Sequence, residues 1–228
     1  MSKNRVLTIE QIKESENQFI CKNSEEQLLN IAGEKIAIFL LNKFKRKTLL
    51  FVCGKGNNGQ DGVKASIFLG EKIKNKVFSV PKNYSKKNLN TLQSNIKSHE
   101  IIIDCLFGTG LNRTLSKFHQ KIIEIINESK KKIISIDIPS GLNSDTGQPL
   151  GSSVIAHMTI CMGFYKPAHF LIPSKNNCGE KVLLKLPLKT PKKMSPKIYL
   201  LKNEKIYKSF PKHNNSIHKY DKGHVVVI

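Results

Sequence analysis

The sequence predicts an α/β protein with a three-layer α/β/α, Rossmann-like fold around a mostly parallel sheet. Three observations carry this. Apolar runs of strand length recur at Thr48-Leu49-Leu50-Phe51-Val52-Cys53, Lys76-Val77-Phe78-Ser79-Val80, Ile101-Ile102-Ile103-Asp104 and Ile133-Ile134-Ser135-Ile136-Asp137. Most are apolar along both faces, as strands of a sheet covered on both sides must be. Segments of helical periodicity separate them, and three of them run directly into glycine-bearing loops. Right-handed crossovers put those loops on one edge of the sheet, where open α/β folds bind ligands.

Thr8 is placed to cap a first helix carrying Ile9, Ile12, Phe19 and Ile20. Ser24-Glu25-Glu26-Gln27 reads as a capping box that opens a longer helix with Leu28, Leu29, Ile31, Ala32, Ile36, Phe39 and Leu40. The basic stretch Lys43 to Lys47 is a solvated turn before the first strand. The loop Gly54-Lys55-Gly56-Asn57-Asn58-Gly59-Gln60-Asp61-Gly62 then precedes a helix read over 63–69. A turn occupies 81–87, and helices are expected over 88–97 and 116–129. Beyond Gly151, Met158-Thr159-Ile160-Cys161-Met162 and residues 181–186 read as two further strands. The Lys- and Pro-rich stretch 187–200 reads as a linker. A first domain is therefore expected over 1–200. The stretch 201–228 is expected to be linker and the start of a second domain, because it ends in an apolar strand.

The chain has 228 residues and a formal net charge of +21. The basic residues are almost all Lys, with Arg only at 5, 46 and 113. They are spread along the chain instead of forming an aromatic-studded patch, which speaks against a specific nucleic-acid surface. Five cysteines, an odd number with no C-x-x-C pair, point to a reducing compartment, and a cytoplasmic protein is expected. No apolar run reaches bilayer length, so no membrane association is expected.

Gly54, Gly56 and Gly59 satisfy G-x-G-x-x-G between a strand and a helix. The dinucleotide fingerprint also needs an acidic residue at the end of the next strand, and Ser79-Val80-Pro81-Lys82 supplies none. Hydride transfer is thereby disfavoured. No Gly-Lys-Ser/Thr closes the loop, no G-x-S-x-G elbow occurs, and the seven histidines lack catalytic zinc spacing. The histidines read as structural or surface residues. What the loop does offer is a dense polar set, and Asp104 and Asp137 end neighbouring strands. An Asp there can cap the following helix or serve a site.

These segments together specify a resemblance. Gly54 to Gly62, Asp104-Cys105-Leu106-Phe107-Gly108-Thr109-Gly110-Leu111-Asn112-Arg113, and Ile136-Asp137-Ile138-Pro139-Ser140-Gly141-Leu142-Asn143-Ser144-Asp145-Thr146-Gly147 occur in that order. They resemble the NAD(P)H-hydrate epimerase family, also called the YjeF N-terminal domain, over about residues 6–190, including the turn at Lys166-Pro167. The stretch 213–228 is similar to the opening of the family's ADP-dependent dehydratase partner domain. The resemblance implies epimerisation of the R and S forms of hydrated NADH and NADPH, with potassium as cofactor. It implies substrate contacts from Asn57, Asn58, Gly59, Gln60, Asp61, Gly108, Thr109, Gly110, Leu111, Asn112, Arg113, Thr114 and Asp137. It also implies potassium ligands at Asn58, Asp104 and Ser140. Asp137 suits a general acid/base, with Lys166 as a second candidate. The expected partners are the hydrated nucleotide and no specific nucleic acid or membrane. A homo-oligomer and a fused dehydratase domain are both compatible with the sequence.

Three positions depart from the family pattern. Gln60 stands where the family has a second Gly, and would be strained if positive φ were required. Lys55 replaces a small, aromatic or Pro residue, and Leu184-Lys185-Leu186-Pro187 stands where a Gly is common. The competing reading is a non-catalytic nucleotide-binding or partner-binding module of the same fold. A nucleic-acid binder is the third.

Overall fold

A computed structural model describes residues 5–81, 85–191 and 198–200. The stretch 201–228, with the expected start of a second domain, lies outside them. Six five-residue strands form one fully parallel sheet: β2 (Leu49–Cys53), β3 (Asn75–Ser79), β4 (Ile101–Cys105), β5 (Lys132–Ile136), β6 (Met158–Met162) and β7 (Glu180–Leu184). Their order is β3-β2-β4-β5-β6-β7. From β2 the chain crosses one way to β3 and then returns to the other side of β2 at β4. The strand order therefore reverses between the ends of β2 and β4, which opens a crevice there.

Alternation along each central strand divides the core into two layers. Leu49, Phe51 and Cys53 of β2 face α2 (Glu25–Phe44) and α3 (Asn57–Leu69), which contribute Ile36, Leu40, Ala65 and Leu69. Leu50 and Val52 face α4 (Lys86–Lys97) and α5 (Lys117–Glu128), which contribute Leu92, Ile96, Phe118, Ile122 and Ile126. Every residue of β2, β4 and β6 is buried, which is why these runs read as continuously apolar. The predicted three-layer fold and parallel sheet are both present.

The local signals act as read. Thr8 and Ser24 both form full capping boxes, opening α1 (Ile9–Ile20) and α2. Two expectations change. The helix after β2 begins at Asn57 instead of 63, with Gly56 as its N-cap, so the second half of the glycine loop is the helix's first turns. Part of the expected linker also pairs: β8 (Ile198–Tyr199) runs antiparallel to a two-residue β1 (Arg5–Val6). Such short strands carry too little pattern to be seen in the sequence.

Candidate active site

The loops after β2 and β4 meet backbone to backbone. Gly54 donates its N–H to Cys105 O at 3.0 Å. A Cβ at Gly54 would fall 2.0 Å from Leu106 O, and one at Gly59 would fall 2.0 Å from Gly54 O. Only glycine allows this approach. It seats the N-terminus of α3, with its unpaired N–H groups, at the sheet's carboxyl edge. There a cavity of about 780 Å³ opens, walled by the loops after β2 and β4, by Asp137 and Lys166, and by α1.

At one wall lie Asp137 and Lys166. Lys166 Nζ donates to Asp137 Oδ1 at 2.5 Å and to Met162 O at 2.7 Å, and its side chain is only 2% exposed. Asp137 Oδ2 accepts the Thr109 N–H at 3.3 Å. Asp137 itself has φ +71°, a left-handed conformation costing a non-glycine residue about 1–2 kcal/mol. Its N–H is held by Ile160 O at 2.8 Å, and its carbonyl by His169 Nε2 at 2.8 Å. A carbonyl can only accept, so Nε2 carries the proton and Nδ1 is free to accept from Lys166 N–H at 3.0 Å. Burial holds the His169 imidazole down to a pKa of about 4, and the nearby Lys166 ammonium acts in the same direction.

Two further carboxyls that face the same space have their pKa values shifted upward. The Asp61 side chain, in the second turn of α3, has no hydrogen-bond or ion-pair partner among the described residues. Burial, then the charges of Asp137 and Glu16, push its pKa up to about 8. Glu16 on α1 is raised by burial first and by Asp137 second, against the opposing effect of Lys166. The site thus gathers Asp137, Asp61 and Glu16 near the buried Lys166 ammonium, with Glu25 also on the cavity wall, in a protein whose net charge is strongly positive.

Beneath the cavity wall, Asp104 is completely buried. Its Oδ1 accepts from the Ser140 hydroxyl at 2.6 Å and Leu106 N–H at 3.2 Å. Its Oδ2 accepts from the Ser135 hydroxyl at 2.7 Å and Ser140 N–H at 2.9 Å. Burial raises its pKa against these bonds. Phe107 N–H donates back to Ser140 Oγ at 2.9 Å. Asn58 lies on the other side of this loop, where a Cβ on Gly108 would sit 3.1 Å from Asn58 Cβ. Asn58 is buried, yet among the described residues neither its amide nitrogen nor its carbonyl oxygen has a partner. An unpaired buried polar atom costs about 1–3 kcal/mol. Amide, carboxylate and hydroxyl oxygens suit a hard monovalent cation, and such a cation would satisfy the Asn58 carbonyl. The residues present fit that group. Among the described residues, no cluster of three His, Cys, Asp or Glu is placed to hold a metal ion.

A family model described as YjeF-related protein N-terminus matches residues 25–168, well over half of the chain. The chain belongs to the YjeF-related N-terminal family. Among relatives, it is 32% identical over 202 residues to an NAD(P)H-hydrate epimerase of Elusimicrobium minutum, covering 76% of this chain and 90% of that protein. It is 32% identical over 181 residues to the bifunctional NAD(P)H-hydrate repair enzyme Nnr of Thermofilum pendens, covering 68% of this chain and 34% of the relative. Against the Nnr of Dictyoglomus turgidum the shares are 98% and 49%, at 30% identity. The chain therefore spans a third to a half of the length of these bifunctional relatives. The crystal structure of yeast ynu0 superposes with a TM-score of 0.64 at 19% identity, covering 78% of this chain and 87% of that one, a match of fold.

In this YjeF-related domain the residues singled out from the sequence separate into three groups. Asn57, Asn58, Asp61, Gly108, Thr109, Gly110, Leu111, Asn112, Arg113, Asp137 and Lys166 line the cavity. Asp104 and Ser140 lie behind its wall. Gly59, Gln60 and Thr114 are not among the lining residues: Gly59 packs on Gly54, and Gln60 is an exposed residue of α3. Gln60 is helical, without positive φ, so the strain considered for it does not arise. Asn57 donates its side-chain amide to Glu25 Oε1 at 3.2 Å. Sequence reading missed Glu16 and the position of His169. The available signal for His169 was its spacing: Pro167 starts a short 3-10 turn that folds His169, three positions after Lys166, back against it. Glu16 carried no local signal, because α1 reaches the site by tertiary packing alone.

Proposed function

We propose that this protein interconverts the R and S epimers of hydrated NADH and NADPH. The observation that carries this reading is the buried Lys166–Asp137 pair at the wall of a dinucleotide-sized cavity. Family membership and relatives named as NAD(P)H-hydrate epimerases support it.

The hydrated carbon carries a hydroxyl beside the ring nitrogen. Inverting it requires one bond to that carbon to break and re-form on the opposite face. Loss of the hydroxyl as water and opening of the carbon–nitrogen bond both need a group that gives and takes a proton at the hydroxyl oxygen. Asp137 serves as that group. Lys166 fixes one carboxylate oxygen and Thr109 N–H the other, so the carboxylate is oriented before substrate arrives. The N-terminus of α3 and the backbone at 108–110 favour the substrate's phosphates, and Arg113 is available for a charge-assisted bond. Potassium would be held by Asn58, Asp104 and Ser140. Bound there, it would supply positive charge joining the loops after β2, β4 and β5.

The test is to supply one purified epimer of hydrated NADH and follow formation of the other by NMR or chromatography. Exchange well above the enzyme-free rate is expected. An enzyme-free rate with intact nucleotide binding would replace this reading with that of a non-catalytic binding module.

A further inference from the structure

The clearest unassigned feature beside the site is His169. It is not among the residues that line the site's cavity, yet it bonds both Asp137 and Lys166, which are. Its Nε2–H donates to the Asp137 carbonyl at 2.8 Å, and its Nδ1 accepts from the Lys166 backbone N–H at 3.0 Å. Asp137 sits just after β5, and Lys166 lies in the turn that follows β6. One fully buried ring therefore spans two loops that adjacent strands deliver separately.

The consequence for Asp137 is specific. A non-glycine residue at φ +71° persists only where its surroundings fix it. The Ile160 bond fixes its N–H, and His169 supplies the fixed partner of its carbonyl. On the other side, holding the Lys166 backbone fixes the root of the side chain whose Nζ reaches Asp137 Oδ1. The ring is itself held edge-on by Tyr165 at 5.9 Å and Phe170 at 6.2 Å.

We infer that His169 is a positioning residue, a neutral two-ended strut that sets the Asp137–Lys166 geometry used for proton transfer. The inference rests on the epimerase reading for its kinetic consequence, and on the hydrogen bonds alone for its structural one. A neutral ring is the only form that can donate at one nitrogen and accept at the other. The groups facing it are Lys166, Asp137, Tyr165 and Lys181, and the two ammonium groups oppose a proton on Nδ1.

Two measurements test it on the full chain. In the wild-type protein, nitrogen-15 NMR of the imidazole should show Nε2 protonated and Nδ1 bare from pH 5.5 to 8. An Nδ1–H tautomer or an imidazolium in that range would overturn the strut, whether or not the protein is an epimerase. Kinetically, His169→Phe keeps a ring without either hydrogen bond, while His169→Gln restores a donor toward Asp137. The expected result is a fall in kcat of about thirtyfold in His169→Phe with KM changed less than about threefold, and substantial recovery in His169→Gln. Equal kcat in folded wild type and His169→Phe would overturn the inference. So would equal losses in two folded variants, since hydrogen bonding would then be irrelevant. If His169→Phe does not fold, His169→Gln against His169→Leu gives the same comparison. Absence of exchange in the wild type would remove the epimerase reading while leaving the NMR result to decide the strut.

Discussion

Ser140 grips Asp104 at both carboxylate oxygens, its N–H on Oδ2 at 2.9 Å and its hydroxyl on Oδ1 at 2.6 Å. The loop after β5 is thereby fastened to the buried end of β4. Ser135 and Leu106 complete the set, so Asp104 is the shared acceptor of four donors. Asp104→Ala strands these donors in the core and should destabilise the protein by about 3 kcal/mol or more. Urea unfolding of the variant and wild type measures this directly. A loss below about 1 kcal/mol would mean the donors find other partners.

Potassium should raise the melting temperature relative to a bulky organic cation such as choline. The increment should vanish in Asn58→Leu, which removes the unpaired amide but keeps its volume. A potassium increment that survives in Asn58→Leu would place the cation elsewhere.

Asp137→Asn should slow epimer exchange by about a hundredfold or more, the usual range for loss of a positioned acid/base. Lys166→Met alone should cost about 3–5 kcal/mol of stability, because a pair broken in a buried setting is worse than none. The double variant Asp137→Asn/Lys166→Met should be more stable than Lys166→Met. Additive losses by urea titration would show that the two charges are not coupled.

Two buried groups give stability opposite pH slopes. The His169 pKa is depressed from 6.5 to about 4, so the unfolded chain binds more protons between those values. Its contribution is complete above pH 6.5 and is lost on acidification toward pH 4, on the order of 3 kcal/mol. Asp61 has the reverse sign. Its pKa is raised from 3.8 to about 8, so its contribution is complete below pH 3.8 and declines as pH rises to 8. Asp61→Asn should therefore raise the melting temperature more at pH 8 than at pH 5. His169→Gln should flatten the acid limb. Equal shifts at both pH values would sink the Asp61 assignment.

Gly59→Ala and Gly56→Ala form a matched pair. A Cβ at Gly59 would collide with Gly54 O, whereas one at Gly56 meets nothing within 4 Å. The first should cost about 2 kcal/mol or more and the second, which only weakens an N-cap, about 1 kcal/mol or less, read by denaturant midpoints. Similar costs would mean that the loop rather than the contact sets the requirement.

Much of this was legible in the sequence because the fold depends on local pattern. Strands buried on both faces betray themselves as unbroken apolar runs, and Thr8 and Ser24 announce helix starts through capping chemistry. Asp104 and Asp137 were visible because a carboxylate at the end of an apolar strand conflicts with its surroundings. The start of α3 was not, since Asn57, Asn58 and Gly59 are turn-forming residues whose helical state depends on packing against Gly54. Glu16 and the strut formed by His169 were hidden for a related reason. Their contacts with Asp137 span 121 and 32 residues along the chain, and only the Lys166 end of the strut falls within a short window.

The arm formed by β1 and α1 has a consequence for biosynthesis. Its wall of the cavity is anchored by Ile9 N–H on Asp145 Oδ1 at 2.9 Å and by pairing of Arg5 with Tyr199. Arg5 therefore leaves the ribosome almost two hundred residues before its partner Tyr199. A nascent chain can assemble β2 to β5 while this side of the pocket is still open. The binding chamber closes late, by a segment made before the sheet it covers.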